Sequence, residues 1–177
     1  GCGAVHPERL QQMVRDRKAD LDIALEGDAD RARLVCEHGD VVDGDHALAA
    51  FALDLKRQGR LRKDTVVGTV MSNFGFEVCL REAGINLVRT AVGDRYILER
   101  MVADNYNLGG EQSGHMSFLD YHTSGDGMIS GLQMLKLMQR AQKSLSEIAR
   151  CMSSTPQVLL GVKVSHKPDL KTLPQLQ

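Results

Sequence analysis

Apolar and polar positions along the chain switch between a helical and an alternating period, and the switches mark the elements. After His6-Pro7-Glu8, Leu10, Met13 and Val14 fall on one helical face, with proline near the first turn, where its missing N–H costs least. Leu21-Asp22-Ile23-Ala24-Leu25 is short and mostly apolar and predicts a buried strand. Residues 32–36 predict a second strand, Glu37-His38-Gly39-Asp40 a hairpin turn, and Val41-Val42 the returning strand. Asp43-Gly44-Asp45 then opens a helix to about Gln58, with Ala47, Leu48, Phe51 and Leu55 as its apolar stripe and Gly59 as its stop.

From Thr65 the alternation is regular: strand 65–71, helix 73–82, strand 85–90, helix 94–105, then strand-like 107–109. Strands alternating with helices of this length predict βαβ units and parallel pairing. The fold class is therefore α/β, with mixed, mostly parallel sheets flanked by helices. Met116-Ser117-Phe118-Leu119 reads as a further strand, and 126–141 as the longest helix, carrying Ile129, Leu132, Leu135, Leu137 and Met138 on a broad apolar face. Met128, Met134 and Met138 read as core filler, a docking face being the alternative. Ser144 and Glu147 have the spacing of a capping box, residues 157–164 read as a strand, and 165–177, with two of the four prolines, as a connector. The basic run 56–63 reads as a solvated link between the two α/β parts.

Composition narrows the class. Across 177 residues, 42% hydrophobic and 25% charged content is ordinary for a soluble globular protein. A net charge of −1 with seven aromatic residues argues against a nucleic-acid partner. No apolar run approaches the roughly 20 residues of a membrane span, and no signal-peptide pattern opens the chain. Cys2, Cys36, Cys79 and Cys151 lack metal or redox spacing and read as reduced, mostly core thiols of a cytoplasmic protein. Gly1 in first place suggests processing, trimming or excision from something longer.

The candidate chemistry begins at Glu26-Gly27-Asp28-Ala29-Asp30-Arg31, three carboxylates at alternate positions with small residues between them. Hard oxygen ligands suit Mg²⁺ or Ca²⁺, and Arg31 adds a planar cation for a phosphate oxygen. A solvated turn capped by its own acids is the alternative, and spacing alone does not choose between them. The glycine, glutamate and flanking helices that an EF-hand needs do not fit this stretch. Asp43 and Asp45 read as helix capping in preference to a second metal pair. Polar loops follow three later strands: Ser72-Asn73, Val92-Gly93-Asp94-Arg95, and Gly110-Glu111-Gln112-Ser113-Gly114-His115. In the last, two glycines let the side chains between them converge on a polyhydroxylated ligand. His115 taken alone reads more readily as a structural histidine.

These loops in this order resemble the α-D-phosphohexomutase superfamily, and most closely its bacterial amino-sugar branch. The carriers are 26–31, Val41-Val42-Asp43-Gly44-Asp45, Gly68-Thr69-Val70-Met71-Ser72-Asn73, Val92-Gly93-Asp94-Arg95-Tyr96, 110–115 and Thr123-Ser124-Gly125-Asp126-Gly127. The resemblance implies one partial and one complete phosphohexomutase-type domain: 1–58 as the end of a metal-binding second domain, 59–155 as a sugar-binding third, 156–177 as the start of a fourth. It implies Mg²⁺ on Glu26, Asp28 and Asp30, catalytic roles for Arg31 and, less firmly, His115, and substrate binding by Glu111, Ser113, Asp94 and Arg95. The implied partners are a sugar phosphate and a sugar bisphosphate intermediate, with glucosamine 6-phosphate and glucosamine 1-phosphate interconverted, and a homodimer in the full-length form.

Two departures qualify the resemblance. Glu26 stands where the family's loop usually begins with Asp, which moves the carboxylate by about an ångström against a cation intolerant of misplacement. No stretch resembles the family's phosphoserine loop, Thr-Ala-Ser-His-Asn-Pro, or its phosphate loop, Arg-x-Ser-Gly-Thr-Glu-Pro. The chain is therefore expected to be a portion of an enzyme, inactive alone; a non-catalytic sugar-phosphate-binding or regulatory module is the alternative. Phosphoryl transfer through Asp28 would make one side chain both ligand and nucleophile and is disfavoured.

Overall fold

A computed structural model of the protein describes residues 6–161 and residue 163. Helix α1 (Glu8–Arg17) follows Pro7 at its N-cap and ends where Lys18 turns left-handed, at φ 52°. Strands β1 (Leu21–Leu25), β2 (Ala32–Cys36) and β3 (Val41–Val42) form an antiparallel sheet in that order, with Leu21 opposite Cys36, Leu25 opposite Ala32 and Leu34 opposite Val42. The expected hairpin is present: Gly39, at φ 81°, lets its N–H reach the Cys36 carbonyl at 2.8 Å. The expectation that β1 is buried does not hold. Only Ala24 is buried, because β1 is an edge strand with β2 as its one partner.

The second sheet runs β5-β4-β6-β7, comprising β4 (Thr65–Thr69), β5 (Asn86–Thr90), β6 (Leu108–Gly110) and β7 (Met116–Phe118). Parallel pairing is confined to β5-β4-β6; β7 is antiparallel to β6. Strand β4 is buried at every position, as expected of the centre of a sheet covered on both faces. The helices are α2 (Gly44–Arg57), α3 (Phe74–Glu82), α4 (Asp94–Asp104), α5 (Gly127–Ala141) and α6 (Leu145–Ala149). The caps read from the sequence at Asp43 and Ser144 are present, and Asn73 and Asp126 add two more. Asp43 accepts from the His46 N–H, Asn73 from Gly75, Asp126 from Ile129, and Ser144 with Glu147 forms a full capping box.

One hydrophobic cluster joins both sheets and the helices α2 and α5. Leu34, Cys36 and Val42 come from the first sheet, Leu48 and Phe51 from α2, and Val66, Leu108, Met116 and Phe118 from the second, with Met134 and Leu137 of α5 closing it. Phe51 meets Phe118 edge to face, centroids 5.0 Å apart, a preferred aromatic geometry. A smaller cluster of Val67, Ile97 and Met101 lies under α4.

One further expectation is refined and another fails. The basic run is solvated as expected, with Arg57, Arg60, Arg62 and Lys63 exposed, but it is anchored as well. Leu61 is buried, the Arg62 N–H reaches Asn107 Oδ1 at 2.9 Å, its guanidinium pairs with Asp120 at 2.7 Å, and Lys63 caps the Asp104 carbonyl at 2.6 Å. Residues 157–161 and 163 form no strand; Val158, Leu159 and Leu160 are about four-fifths exposed, with no neighbouring strand among the described residues. Val164 and the tail 165–177 lie outside the described residues.

Candidate functional site

Between β1 and β2 the chain folds back through 26–31. Ala29 takes φ 59°, its N–H donates to the Glu26 carbonyl at 3.0 Å, and its own carbonyl accepts the Gly127 N–H at 2.8 Å. The start of α5 thus holds the loop from below. A Cβ on Gly127 would stand 2.7 Å from Leu25 Cδ2 and 2.8 Å from the Arg31 carbonyl, so the approach requires glycine. One carboxylate oxygen each from Glu26, Asp28 and Asp30 lies within 4.8 Å of the others. Arg31 Nη1 pairs with Glu26 Oε2 at 2.9 Å, while its Nε is buried without a hydrogen-bond partner. Asp30 Oδ1 is likewise buried and unpartnered. Converging oxygens plus a buried oxygen lacking a donor suit a hard divalent cation, and residues 26, 28 and 30 would hold it.

This loop is stitched to the one at 110–115. The Ala32 N–H donates to the Gly114 carbonyl at 3.1 Å, and Arg31 and His115 form a β-bridge between loops of the two sheets. Gly114 sits at φ 100°, where a Cβ would fall 2.3 Å from the Ala32 carbonyl oxygen. His115 is buried, with Nδ1 3.2 Å from Asp30 Oδ2 and its ring against Gly125. It therefore backs the carboxylate loop and does not line the adjoining cleft.

That cleft, about 430 Å³, is lined by Arg33, Asp43, Thr69, Met71, Val92, Glu111, Gln112 and Ser113. Glu111 is fixed on both oxygens, taking the Gly93 N–H at 3.0 Å and the Ser113 hydroxyl at 3.2 Å. The Gly44 N–H, at the start of α2, donates to the Gln112 carbonyl at 3.0 Å and ties the loop to the helix. Asp43 pairs with His46 Nδ1 at 2.7 Å and accepts from Gln112 Nε2 at 3.3 Å. Burial works to raise the Asp43 carboxyl, but the His46 bonds outweigh it and hold it low; the same pairing holds His46 above its ordinary value. Asp45, fully buried, accepts the Asn73 N–H at 2.7 Å, and burial, reinforced by the charge of Asp43, pushes its carboxyl up to about 6.

Of the expected substrate residues, Glu111 and Ser113 line the cleft, while Asp94 and Arg95 are exposed beside Val92 and do not. Arg95 pairs with Glu99 along α4 at 2.7 Å. Sequence reasoning missed Arg33, Thr69 and Met71. Arg33 had a signal: it is the charged residue in an otherwise apolar five-residue strand. Among the described residues its guanidinium has no hydrogen-bond or ion-pair partner, whereas the two acids in the cleft already have donors.

Residues 43–155 match the family described as phosphoglucomutase/phosphomannomutase, alpha/beta/alpha domain III. The chain is 54% identical to phosphoglucosamine mutase of Caldanaerobacter subterraneus subsp. tengcongensis over 94% of its own length, and spans 37% of that relative. Its fold superposes with a TM-score of 0.74 on a phosphoglucomutase/phosphomannomutase family protein from Burkholderia thailandensis, 23% identical, covering 89% of this chain and 34% of that one. It superposes with a TM-score of 0.69 on Aspergillus fumigatus N-acetylphosphoglucosamine mutase solved with GlcNAc-6P and magnesium, 20% identical, covering 93% of this chain and 39% of that one. The fold is what the two solved structures share with this chain, and the family match independently takes in both the Asp43 helix start and the 110–115 loop. The chain belongs to the phosphoglucomutase/phosphomannomutase family.

Proposed function

We propose that this chain is the metal- and sugar-binding portion of a phosphoglucosamine mutase, which interconverts glucosamine 6-phosphate and glucosamine 1-phosphate through a sugar bisphosphate. The observation that carries this is the β-bridge setting the carboxylate cluster of 26–31 directly against the 110–115 loop, whose Glu111, Gln112 and Ser113 line a cleft of sugar-phosphate size. On this reading the second, third and fourth domains divide as the family resemblance implies, at 58 and 155. Glu111 and Ser113, fixed by their mutual bond and by Gly93, would meet sugar hydroxyls with little reorganisation. Arg33, which lines the cleft, is a donor for phosphoryl oxygens, and the half-buried guanidinium of Arg31, paired with Glu26, stands beside the carboxylate loop. His115 acts as a positioning residue, orienting Asp30 from behind. Mg²⁺, when bound by Glu26, Asp28 and Asp30, would neutralise charge developing on a transferring phosphoryl group.

Calorimetric titration tests this. Mg²⁺ is expected to bind the chain and glucosamine 6-phosphate to follow. Asp30→Asn is expected to weaken metal binding by tenfold or more, about 1.4 kcal/mol, and Glu111→Gln to weaken sugar phosphate binding while leaving the metal titration unchanged. Absence of Mg²⁺ binding, or indifference to both substitutions, overturns the proposal. Tight binding by the full-length protein with no turnover in a coupled mutase assay would instead favour a non-catalytic binding module.

A further inference from the structure

Away from the cleft, the segment after α6 is docked on the first turn of α3. Asn73 grips Thr155 in both directions, its Nδ2 donating to the Thr155 carbonyl and its Oδ1 accepting the Thr155 N–H, each at 2.9 Å. A Cβ on Gly75 would lie 1.9 Å from the Ser153 carbonyl oxygen, so the two backbones touch. Two cysteines meet in this seam. Cys79 Sγ, on α3, donates to the Cys151 carbonyl at 3.1 Å. With standard backbone dimensions, Cys79 Sγ is then no more than about 5.5 Å from Cys151 Cα. Rotation about χ1 of Cys151 and an adjustment of about an ångström bring the sulfurs to the roughly 2.05 Å of a disulfide. Both cysteines line an open cleft of about 370 Å³ that runs along the seam, wide enough for a small oxidant.

We propose that Cys79 and Cys151 form a thiol oxidation site that takes hydrogen peroxide and closes to an intramolecular disulfide between α3 and the segment after α6. The Cys79 sulfur attacks one peroxide oxygen. An S–O bond forms, the O–O bond breaks, and the departing hydroxide leaves as water with the thiol proton. The Cys151 sulfur then attacks Cys79 sulfur, forming the S–S bond and breaking the S–O bond, and a second water carries off the hydroxyl with the Cys151 proton. Two thiols lose two electrons and one peroxide becomes two waters. The order follows from the environments. The contact with Cys151 draws the Cys79 thiol below its ordinary value, whereas that contact and burial push Cys151 up, so Cys79 is the attacking and Cys151 the resolving thiol. Cys36, buried in the central cluster, is the internal control.

Peroxide treatment of the chain, followed by alkylation, intact mass and peptide mapping, tests this. The expected product is the monomer short of two hydrogens, with Cys79 and Cys151 in one cross-linked peptide and Cys36 still alkylated. Cys151→Ser is expected to trap a sulfenic acid on Cys79 that a dimedone-type probe labels, and Cys79→Ser to show neither label nor cross-link. A cross-link that survives Cys79→Ser, a label on Cys151 in place of Cys79, or both thiols remaining alkylatable after Cys36 has reacted would each overturn the proposal. Circular dichroism of both variants separates these outcomes from misfolding, and Cys151→Ala repeats the trapping arm without a hydroxyl.

Discussion

Arg33 shows how one side chain sets the character of a cleft. The acids facing it, Asp43 and Glu111, are already supplied with donors by His46, Gln112, Gly93 and Ser113, so the unmet hydrogen-bonding capacity there belongs to a guanidinium. Arg33→Gln is therefore expected to weaken glucosamine 6-phosphate binding about tenfold with no fall in melting temperature, read by titration and by scanning calorimetry. Asp45 gives a pH-dependent prediction. Its folded carboxyl, raised to about 6, binds protons more tightly than an unfolded one, so its contribution to stability falls as pH rises from about 4 through 6 and stays lower above that. Asp45→Asn keeps an acceptor for the Asn73 N–H and removes the buried charge. It is expected to stabilise the chain on the order of 2 kcal/mol at pH 7.5 and by nothing at about pH 4, measured by urea unfolding at both. Spacing made the 26–31 acids and Glu111 visible in the sequence. It hid the partner of His115, because Asp30 is 85 positions away and only the fold joins them.

At the scale of elements, close backbone approaches carry the site, and glycine marks them. A Cβ on Gly44 would stand 2.0 Å from the Glu111 carbonyl oxygen and 3.0 Å from the Gly114 nitrogen, both backbone atoms that cannot swing aside. Gly44→Ala is expected to lower stability by about 3 kcal/mol in urea and to displace the 110–115 loop, weakening sugar phosphate binding as well. Gly27, whose Cβ would meet nothing within 4 Å, is the matched control, and Gly27→Ala is expected to leave the urea midpoint where it is. Helix starts, the β2–β3 hairpin and the β4-α3-β5-α4 alternation were legible because capping residues and periodicity are local signals. The unpaired course of 157–161 was not, since whether an apolar run is paired depends on neighbours that the run itself does not encode.

Across the whole molecule, α5 packs on both sheets, against β1 and β2 of one and β7 of the other, while α2 packs on β6, and Leu48 of α2 sits in the shared cluster. Leu48→Ala is expected to cost about 3 kcal/mol and to speed hydrogen exchange in β2 and in β4 by a common factor, followed by mass spectrometry of their peptides. Acceleration in only one sheet would mean that the two units open separately. Some features become visible only at this scale: the cleft draws its walls from β2, the start of α2, the ends of β4 and β5 and the 110–115 loop, and no stretch of sequence contains them together.

The backbone bridge between Arg31 and His115 reaches beyond geometry. Two loops that share a rung of β-structure, and a histidine–aspartate contact beneath it, settle into place together, so whatever orders one prepares the other. If the two loops take a cation and a sugar phosphate as proposed, thermodynamic reciprocity fixes the bargain between them: the factor by which the cation tightens the hold on the sugar phosphate is the same factor by which the sugar phosphate tightens the hold on the cation.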